Sequence, residues 1–388
     1  MKILHVVGAI RLPPHPEVEG CSGVARATLE LARAQVEQGH EVWIAVVGKG
    51  AWREVWRGVH LVQLPHRPWA KGRVGGRTLD FSVHLPYIAL TRREHFDVIH
   101  GHMYPYLRFL RGRARVTHFH SDPGGISVPD LQLILRHSDA QIGVSAFVTE
   151  GLRRRLPGVG SIHTVYNGVD LATFDSGRWQ DERRRLRAEW GLGEDDVAFL
   201  FAGAIVPEKG VLELGRAFAH LSATEPRVHL VLAGDAGLWD LTVRPHEGAQ
   251  AYHAEVLREL GQVRPPGQVH ALGRVSARDM GAVHAACDVL TVPSYTETFS
   301  LSALESMASG RPVIASAVGG LPEVVGLGAG LLVPPGDERA LEEAMRRLAR
   351  DRQTRLALGQ RACERVRHLS WDAAARSLEA IYAQHLGG

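Results

Sequence analysis

The sequence predicts an α/β protein made of two doubly wound, Rossmann-like parallel sheets in tandem. Three observations carry that expectation. Short apolar runs alternate with helical patterns through the first half of the chain, and a second alternation of the same kind runs from Val197 to Val333. Between them the charged stretch Leu171 to Glu194 offers no strand. Such alternation implies parallel strands joined by crossover helices on both faces of a sheet. At 388 residues the chain is long enough for two or three domains.

Each element has its own warrant. Ile3 to Val7 reads as a first buried strand and not as a secretory leader, because its apolar run is short and Arg11-Leu12-Pro13-Pro14 follows it. Val24 to Gln38 reads as a helix. Glu41 to Val47, Val59 to Leu64, Asp97 to His100, Ala114 to Phe119 and Ala140 to Val144 read as strands. Ser161 to Val165 closes this half before the turn Asn167-Gly168. The stretch Trp52 to Arg77, with Trp52, Trp56 and Trp69 among arginines, reads as a loop with partly buried tryptophans; acceptor binding or membrane contact is the lesser reading. In the second half the expected strands are Val197–Ala202, Val228–Leu232, Val269–Leu272, Val289–Val292, Pro312–Ala315 and Gly330–Val333. Three helical segments finish the chain: Glu338 to Arg350, Gln353 to Val366 and Trp371 to His385. Two such sheets in tandem are expected to present a ligand cleft at the carboxyl ends of their strands.

Composition narrows the function classes. A formal charge of +3 without long like-charge runs argues against nucleic acid as the main partner. The clusters Arg153-Arg154-Arg155 and Arg183-Arg184-Arg185 read as solvated helix faces, with weak attraction to an anionic membrane surface as the lesser reading. Three widely spaced cysteines suggest neither a disulfide nor a zinc framework and fit a reducing cytoplasm. Only four residues are lysine, and one of them, Lys209, falls in a loop between a strand and a helix.

The densest chemical signal is the stretch Glu297 to Glu305, which follows a strand and opens a helix. Ser300 can cap that helix, whose first N–H groups and dipole favour an anion. Two carboxylates flanking an anion site suit a ligand with a central phosphate and hydroxyl groups at both ends, as in a nucleotide-sugar. Lys209 could pair with a phosphate and neutralise a leaving group. Gly23, after Ser22, would let a backbone N–H approach a phosphate, or Ser22 could simply cap the next helix. His100 and His102 share a strand face, as do His118 and His120, so each pair could in principle hold a metal. Asp122 alone stands near them as a further ligand, which favours hydrogen-bonding histidines over a metal site, with His120 at its strand end facing the cleft. Gly319-Gly320 permits a tight turn, and Glu323 reads as a brace for the helix after it. A Walker loop, a GxSxG elbow, HExxH and a DxD pair are all absent, and the last absence argues against a metal-dependent nucleotide-sugar site.

Together these pieces resemble the retaining glycosyltransferases of family 4, which have the GT-B fold. The likeness runs through Ser22-Gly23, Gly39-His40-Glu41-Val42, Asp97-Val98-Ile99-His100, Thr117 to His120, Val165 to Asp170 and Pro207-Glu208-Lys209-Gly210. It is strongest from Glu297 to Glu305 and on through Gly310-Arg311-Pro312-Val313 to Glu323, and it ends with Ser370-Trp371 and Tyr382. The resemblance implies an acceptor-side domain over 1–172, a nucleotide-sugar domain over 173–366 and a final helix, 367–388, packing back on the first domain. It implies that Glu305 holds the donor ribose and Glu297 the transferred sugar. Backbone N–H groups of Phe299, Ser300 and Leu301 would bind sugar and diphosphate. Lys209 would neutralise the distal phosphate, Gly23 would approach it, and His120 would contact the sugar near the reacting carbon. Arg274 and Val275 would meet the base.

The implied activity is metal-independent, cofactor-free transfer of a hexose from a nucleoside diphosphate sugar, a UDP-sugar on family grounds, to the hydroxyl of a small-molecule, glycan or glycolipid acceptor. The anomeric configuration would be retained and the enzyme would be cytoplasmic, with peripheral membrane contact as an option. One position departs from the family pattern: the residue after Gly203 is Ala204, where the family has arginine. Two alternatives therefore stay open, a nucleotide-sugar-binding pseudoenzyme and another GT-B enzyme such as a hydrolase or epimerase. Acceptor sites in such folds come from first-domain loops, here Arg11 to Cys21 and Pro65 to Arg77.

Overall fold

The computed structural model describes residues 1–7, 22–67, 71–74, 77–80, 83–104, 107–237, 248–263, 268–326 and 328–386. The loop Arg11 to Cys21 and Trp69 lie outside the described residues. The chain divides into two compact units: one contains Gly23–Asn167 and Trp371–Gly388 together with the first strand, the other contains Gly168–Ser370.

The first unit is built on an eight-stranded sheet. Its strands are β1 (Lys2–Val7), β2 (Glu41–Gly48), β3 (Trp52–Trp56), β4 (Val59–Pro65), β7 (Val98–His102), β8 (Ala114–Phe119), β9 (Ala140–Gly143) and β10 (Ile162–Thr164); β5 (Lys71–Val74) and β6 (Arg77–Asp80) form a separate hairpin. The order across the sheet is β10-β9-β8-β7-β1-β2-β4-β3, parallel except for β3. Helices α1 (Gly23–Glu37), α2 (His84–Arg93), α3 (Val128–Leu135) and α4 (Ala146–Arg155) supply the crossovers. Leu4, Val6, Tyr87, Ile99 and Tyr104 are buried together in one core cluster of this unit.

The expectation of a loop over Trp52 to Arg77 is corrected here. Trp52–Trp56 forms an antiparallel hairpin with Val59–Pro65, with Trp52 opposite Gln63 and Trp56 opposite Val59. The physical cause is the two-residue turn Arg57-Gly58, where φ is 48° and 82°. Positive φ at both central residues gives a primed turn, whose twist matches that of paired strands.

The second unit carries six parallel strands: β11 (Val197–Ala202), β12 (Val228–Ala233), β13 (Val269–Gly273), β14 (Val289–Val292), β15 (Val313–Ser316) and β16 (Gly330–Val333). Their order is β13-β12-β11-β14-β15-β16. The strand order therefore reverses between β11 and β14, and ligands of open α/β sheets bind beyond the carboxyl ends at such a point. No strand interrupts the stretch from 171 to 194; it holds a short 3-10 turn and α5 (Gln180–Glu189). Helices α6 (Val211–Ser222), α7 (Ala249–Leu260), α8 (Met280–Ala286), α9 (Leu301–Ala308) and α10 (Leu321–Val325) follow in order. In α11 (Glu338–Arg350) the buried residues are Leu341, Ala344, Met345 and Leu348, one helical stripe, and the Asp337 carboxylate caps its start by accepting from Ala340 N–H at 2.9 Å. After α12 (Arg352–Val366), the last helix, α13 (Trp371–Leu386), belongs to the first unit and packs on α1.

One mostly buried carboxylate ties the second sheet to its flanking helix. Asp288, directly before β14, accepts from Ala198 N–H of β11 at 2.9 Å and from Arg187 and Arg183 of α5 at 3.0 and 3.2 Å. Burial pushes its carboxyl up, but the Arg187 guanidinium, the Ala198 N–H and then Arg183 and Arg311 outweigh burial and hold it below the usual range. A depressed carboxyl contributes stability above its unfolded value, about 3.9, and loses it as the pH falls through the lower folded value. Asp288→Ala should thus destabilise the protein by about 3–5 kcal/mol near neutral pH, because it strands the buried Arg187 guanidinium. The deficit should shrink in acid, as read from urea unfolding at a series of pH values.

Candidate functional site

In the second unit the candidate residues gather at the carboxyl ends of β11 and β14, beside the point of strand reversal. After β11 the chain makes a 3-10 turn, Pro207–Lys209, and enters α6 through Gly210 at φ 62°. A Cβ on Gly210 would lie 2.1 Å from the Pro293 carbonyl oxygen, so only glycine allows this loop to press against the one after β14. The two loops are also joined by a hydrogen bond from Tyr295 N–H to the Glu208 carbonyl at 2.9 Å. Their side chains then meet: Lys209 Nζ donates to Glu297 Oε2 at 2.6 Å, with both groups mostly buried. The sequence reading gave these residues separate partners; the fold makes them partners of each other.

Glu297 is fixed from behind. Its carbonyl accepts from Gly320 N–H at 3.0 Å, and a Cβ on Gly319, at φ 54°, would lie 1.7 Å from that same oxygen. Three residues on, Ser300 adopts φ 80°, ψ 94° and caps α9, its hydroxyl accepting from Ala303 N–H at 3.4 Å. A non-glycine residue held there stores on the order of 1–3 kcal/mol of strain, a feature concentrated at functional sites. Phe299 and Ser300 are buried and Leu301 is half-buried, so these three positions offer main chain more than side chain. Glu305 follows after about one further turn of α9.

Glu305 has a neighbour that the sequence reading missed. His284 of α8 is fully buried, its Nε2 stands 3.5 Å from Glu305 Oε2, and neither ring nitrogen has a hydrogen-bond partner among the described residues. Phe174 packs edge-on against the ring, with centroids 5.5 Å apart. The only advance signal was a histidine within an otherwise small, apolar helix. Arg274, following β13, pairs with Asp235 at 3.1 Å, and Val275 beside it is half-buried. Ala204 packs with Val206 and Ala236, so an apolar contact occupies the position where the resemblance implies a guanidinium. Glu323 lies in the first turn of α10, and its carbonyl accepts from Arg365.

The remaining candidates belong to or border the first unit. Ser22 directly precedes α1, and a Cβ on Gly23 would meet no described atom within 4 Å, so packing gives no reason for glycine there. His120 follows β8, is 8% exposed, and its Nε2 lies 2.8 Å from His102 Nδ1. Burial first, and the neighbouring His5 second, push its pKa down to about 3. Its ring is therefore neutral across the physiological range.

Comparison with known proteins agrees with this geometry. Residues 182–365 match the family model for glycosyl transferases group 1, and residues 21–173 match that for glycosyltransferase family 4. A D-inositol 3-phosphate glycosyltransferase of Xylanimonas cellulosilytica is 31% identical over 95% of this chain and 93% of its own length. The chain belongs to the family 4 glycosyltransferases. A second relative of the same name, from Kineococcus radiotolerans, is 29% identical over 83% of this chain and 80% of its own. Among solved structures, sucrose-phosphate synthase from Thermosynechococcus elongatus superposes with a TM-score of 0.75 at 24% identity, covering 98% of each chain. The Anabaena HepE protein in complex with UDP-glucose gives 0.78 at 19% identity, covering 99% of this chain and all of its own. These structural likenesses show that the glycosyltransferase has the GT-B fold.

Gly319 offers a test of the site's construction. Gly319→Ala should push the Glu297 carbonyl away and separate the two loops, lowering the melting temperature and weakening nucleotide-sugar binding at least tenfold by calorimetry. Gly39→Ala, where φ is also positive but a Cβ would meet nothing within 4 Å, should lower stability without that loss of binding.

Proposed function

We propose that this glycosyltransferase moves a hexose from a nucleoside diphosphate sugar, a UDP-sugar on family grounds, to an acceptor hydroxyl with retention of the anomeric configuration and without a metal. The observation that carries the reading is the Lys209–Glu297 pair beside the capped start of α9, at the strand reversal of the second sheet. An arriving diphosphate competes with Glu297 for Lys209. The ammonium then neutralises charge on the leaving group, and the freed carboxylate accepts hydrogen bonds from the transferred sugar. The N–H groups of Phe299, Ser300 and Leu301 hold sugar and diphosphate, Glu305 takes the ribose hydroxyls, and Arg274 and Val275 meet the base. The family resemblance assigns the distal phosphate to Gly23 and the transferred sugar to His120. The acceptor hydroxyl attacks on the face from which the diphosphate leaves, and a phosphate oxygen takes its proton. The protein thus contributes positioning and electrostatics, with no covalent nucleophile.

The name shared by the relatives makes D-inositol 3-phosphate the first acceptor to test. No helix among the described residues is long and apolar enough to cross a membrane, which is compatible with a cytoplasmic enzyme acting on soluble or surface-bound acceptors. Ala204 supports a second reading, a protein that binds nucleotide-sugars without turnover. The two readings part in one experiment: purified protein is incubated with a panel of UDP-sugars and D-inositol 3-phosphate, and the product anomer is read by proton NMR. Transfer with retention supports the first reading, and tight donor binding with no product on any acceptor supports the second. Lys209→Ala should lower kcat on the order of 10²-fold, the cost of losing one charge-stabilising group. Full activity in that variant would remove Lys209 from the mechanism.

A further inference from the structure

Five histidines are buried side by side in the first unit: His5 on β1, His100 and His102 on β7, His118 on β8 and His120 just after it. The register places His5 opposite His100 and His102 opposite His118, and residues two apart on a strand share a face. None is more than 8% exposed. Burial lowers the pKa of each, to about 4 at His5, where the Gln35 hydrogen bond opposes it, and to about 3 at His120, and at His100, His102, His118 and His120 repulsion from neighbouring rings adds to the effect, so all five are neutral. A neutral imidazole has one donor and one acceptor. In a buried chain of such rings each proton position therefore dictates the next.

The chain is continuous. His120 Nε2 meets His102 Nδ1 at 2.8 Å, His102 Nε2 meets His5 Nδ1 at 2.9 Å, and His5 Nε2 meets Gln35 Oε1 of α1 at 2.7 Å. Gln35 Nε2 donates to the Tyr382 hydroxyl of α13 at 3.2 Å. That hydroxyl meets His100 Nδ1 at 2.5 Å, and His100 Nε2 meets His118 Nδ1 at 3.1 Å. The Gln35 amide sets the direction. Its oxygen requires a proton on His5 Nε2, hence one on His102 Nε2, hence one on His120 Nε2. Its amino group donates to the tyrosine oxygen; with the tyrosine hydrogen on His100 Nδ1, protons follow on His100 Nε2 and on His118 Nε2, which has no partner among the described residues. Thr28 does not donate to His102 Nδ1, because its hydroxyl donates to the Val24 carbonyl at 2.8 Å. Turning the amide over reverses every proton in the His120 arm, whereas the His100 arm follows the tyrosine hydrogen, because the hydroxyl oxygen can accept twice.

We propose that Gln35 and Tyr382 are positioning residues for sugar transfer, fixing the tautomer that His120 presents through a buried relay of ring-to-ring hydrogen bonds. The proposal rests on the reading above that His120 contacts the transferred sugar. Two triads, His5-His100-His102 and His102-His118-His120, bring their ligand nitrogens close enough to hold a metal ion. Hydrogen-bond separations between successive nitrogens and near-parallel stacking, with interplanar angles of 18–30° for most neighbouring rings, favour the relay.

The test combines imidazole nitrogen NMR, which distinguishes Nδ1–H from Nε2–H directly, with steady-state kinetics on full-length protein. The five rings should be neutral Nε2–H tautomers. Gln35→Met should mix the tautomers at His102 and His120, which it does not replace or touch in the case of His120, and should lower kcat about tenfold at unchanged donor KM. Gln35→Glu keeps an acceptor for His5 whether or not its carboxyl is protonated, so it should restore the His120 tautomer and kcat. Tyr382→Phe leaves the amide free to turn and should mix the tautomers in both arms. Charged rings at neutral pH, an unmoved His120 in Gln35→Met, or stoichiometric metal in the purified protein would overturn the relay. A tautomer shift with unchanged kcat would instead place the failure in the role given to His120.

Discussion

The second unit's site hangs on a main-chain contact, the Glu297 carbonyl held by Gly320 N–H with no side chain at Gly319 to intrude. That contact joins the segment after β14 to the segment after β15. A second close approach, Gly210 against the Pro293 carbonyl, joins it to the segment after β11. Three strand ends are thereby drawn together by backbone alone. The charged side chains are consequences: once the loops are this close, Lys209 and Glu297 have little choice but to meet. The strained Ser300 that follows belongs to the same economy of space, since the chain must turn sharply to start α9 directly behind Glu297.

Much of this was legible in the sequence because parallel sheets write themselves as apolar runs separated by helical patterns. Val197–Ala202 and Gly330–Val333 were readable to the residue for that reason. Trp52–Trp56 was not, since an edge strand exposed over Arg53, Glu54 and Val55 carries no apolar run, and its turn residue Arg57 is an unusual one for positive φ. At the site, the spacing of Glu297, Ser300 and Glu305 revealed the capped helix. Spacing along the chain could not reveal that Lys209, 88 residues away, would pair with Glu297, or that His284 would stand beside Glu305. Such pairings are set by strand order, which apolar patterning leaves open.

The first sheet shows the opposite case, in which patterning was informative and its meaning was larger than expected. Paired histidines on β7 and β8 read as hydrogen-bonding groups, two by two. In the fold they combine with His5, Gln35 and Tyr382 from three other elements into one polar seam through an otherwise apolar unit. Burying so many polar groups is tolerable only where nearly every donor has an acceptor.

Tyr382 and the rest of α13 come from the far end of the chain, and this has a consequence for how the protein is made. The second unit is an insertion within the first, leaving at Gly168 and returning at Ser370, where Val169 N–H donates to the Leu369 carbonyl at 2.8 Å. During synthesis the second unit can therefore mature as soon as residue 370 clears the ribosome. The first unit, although begun earlier, waits with the α1 face uncovered until α13 arrives. The half of the molecule translated first is the half finished last.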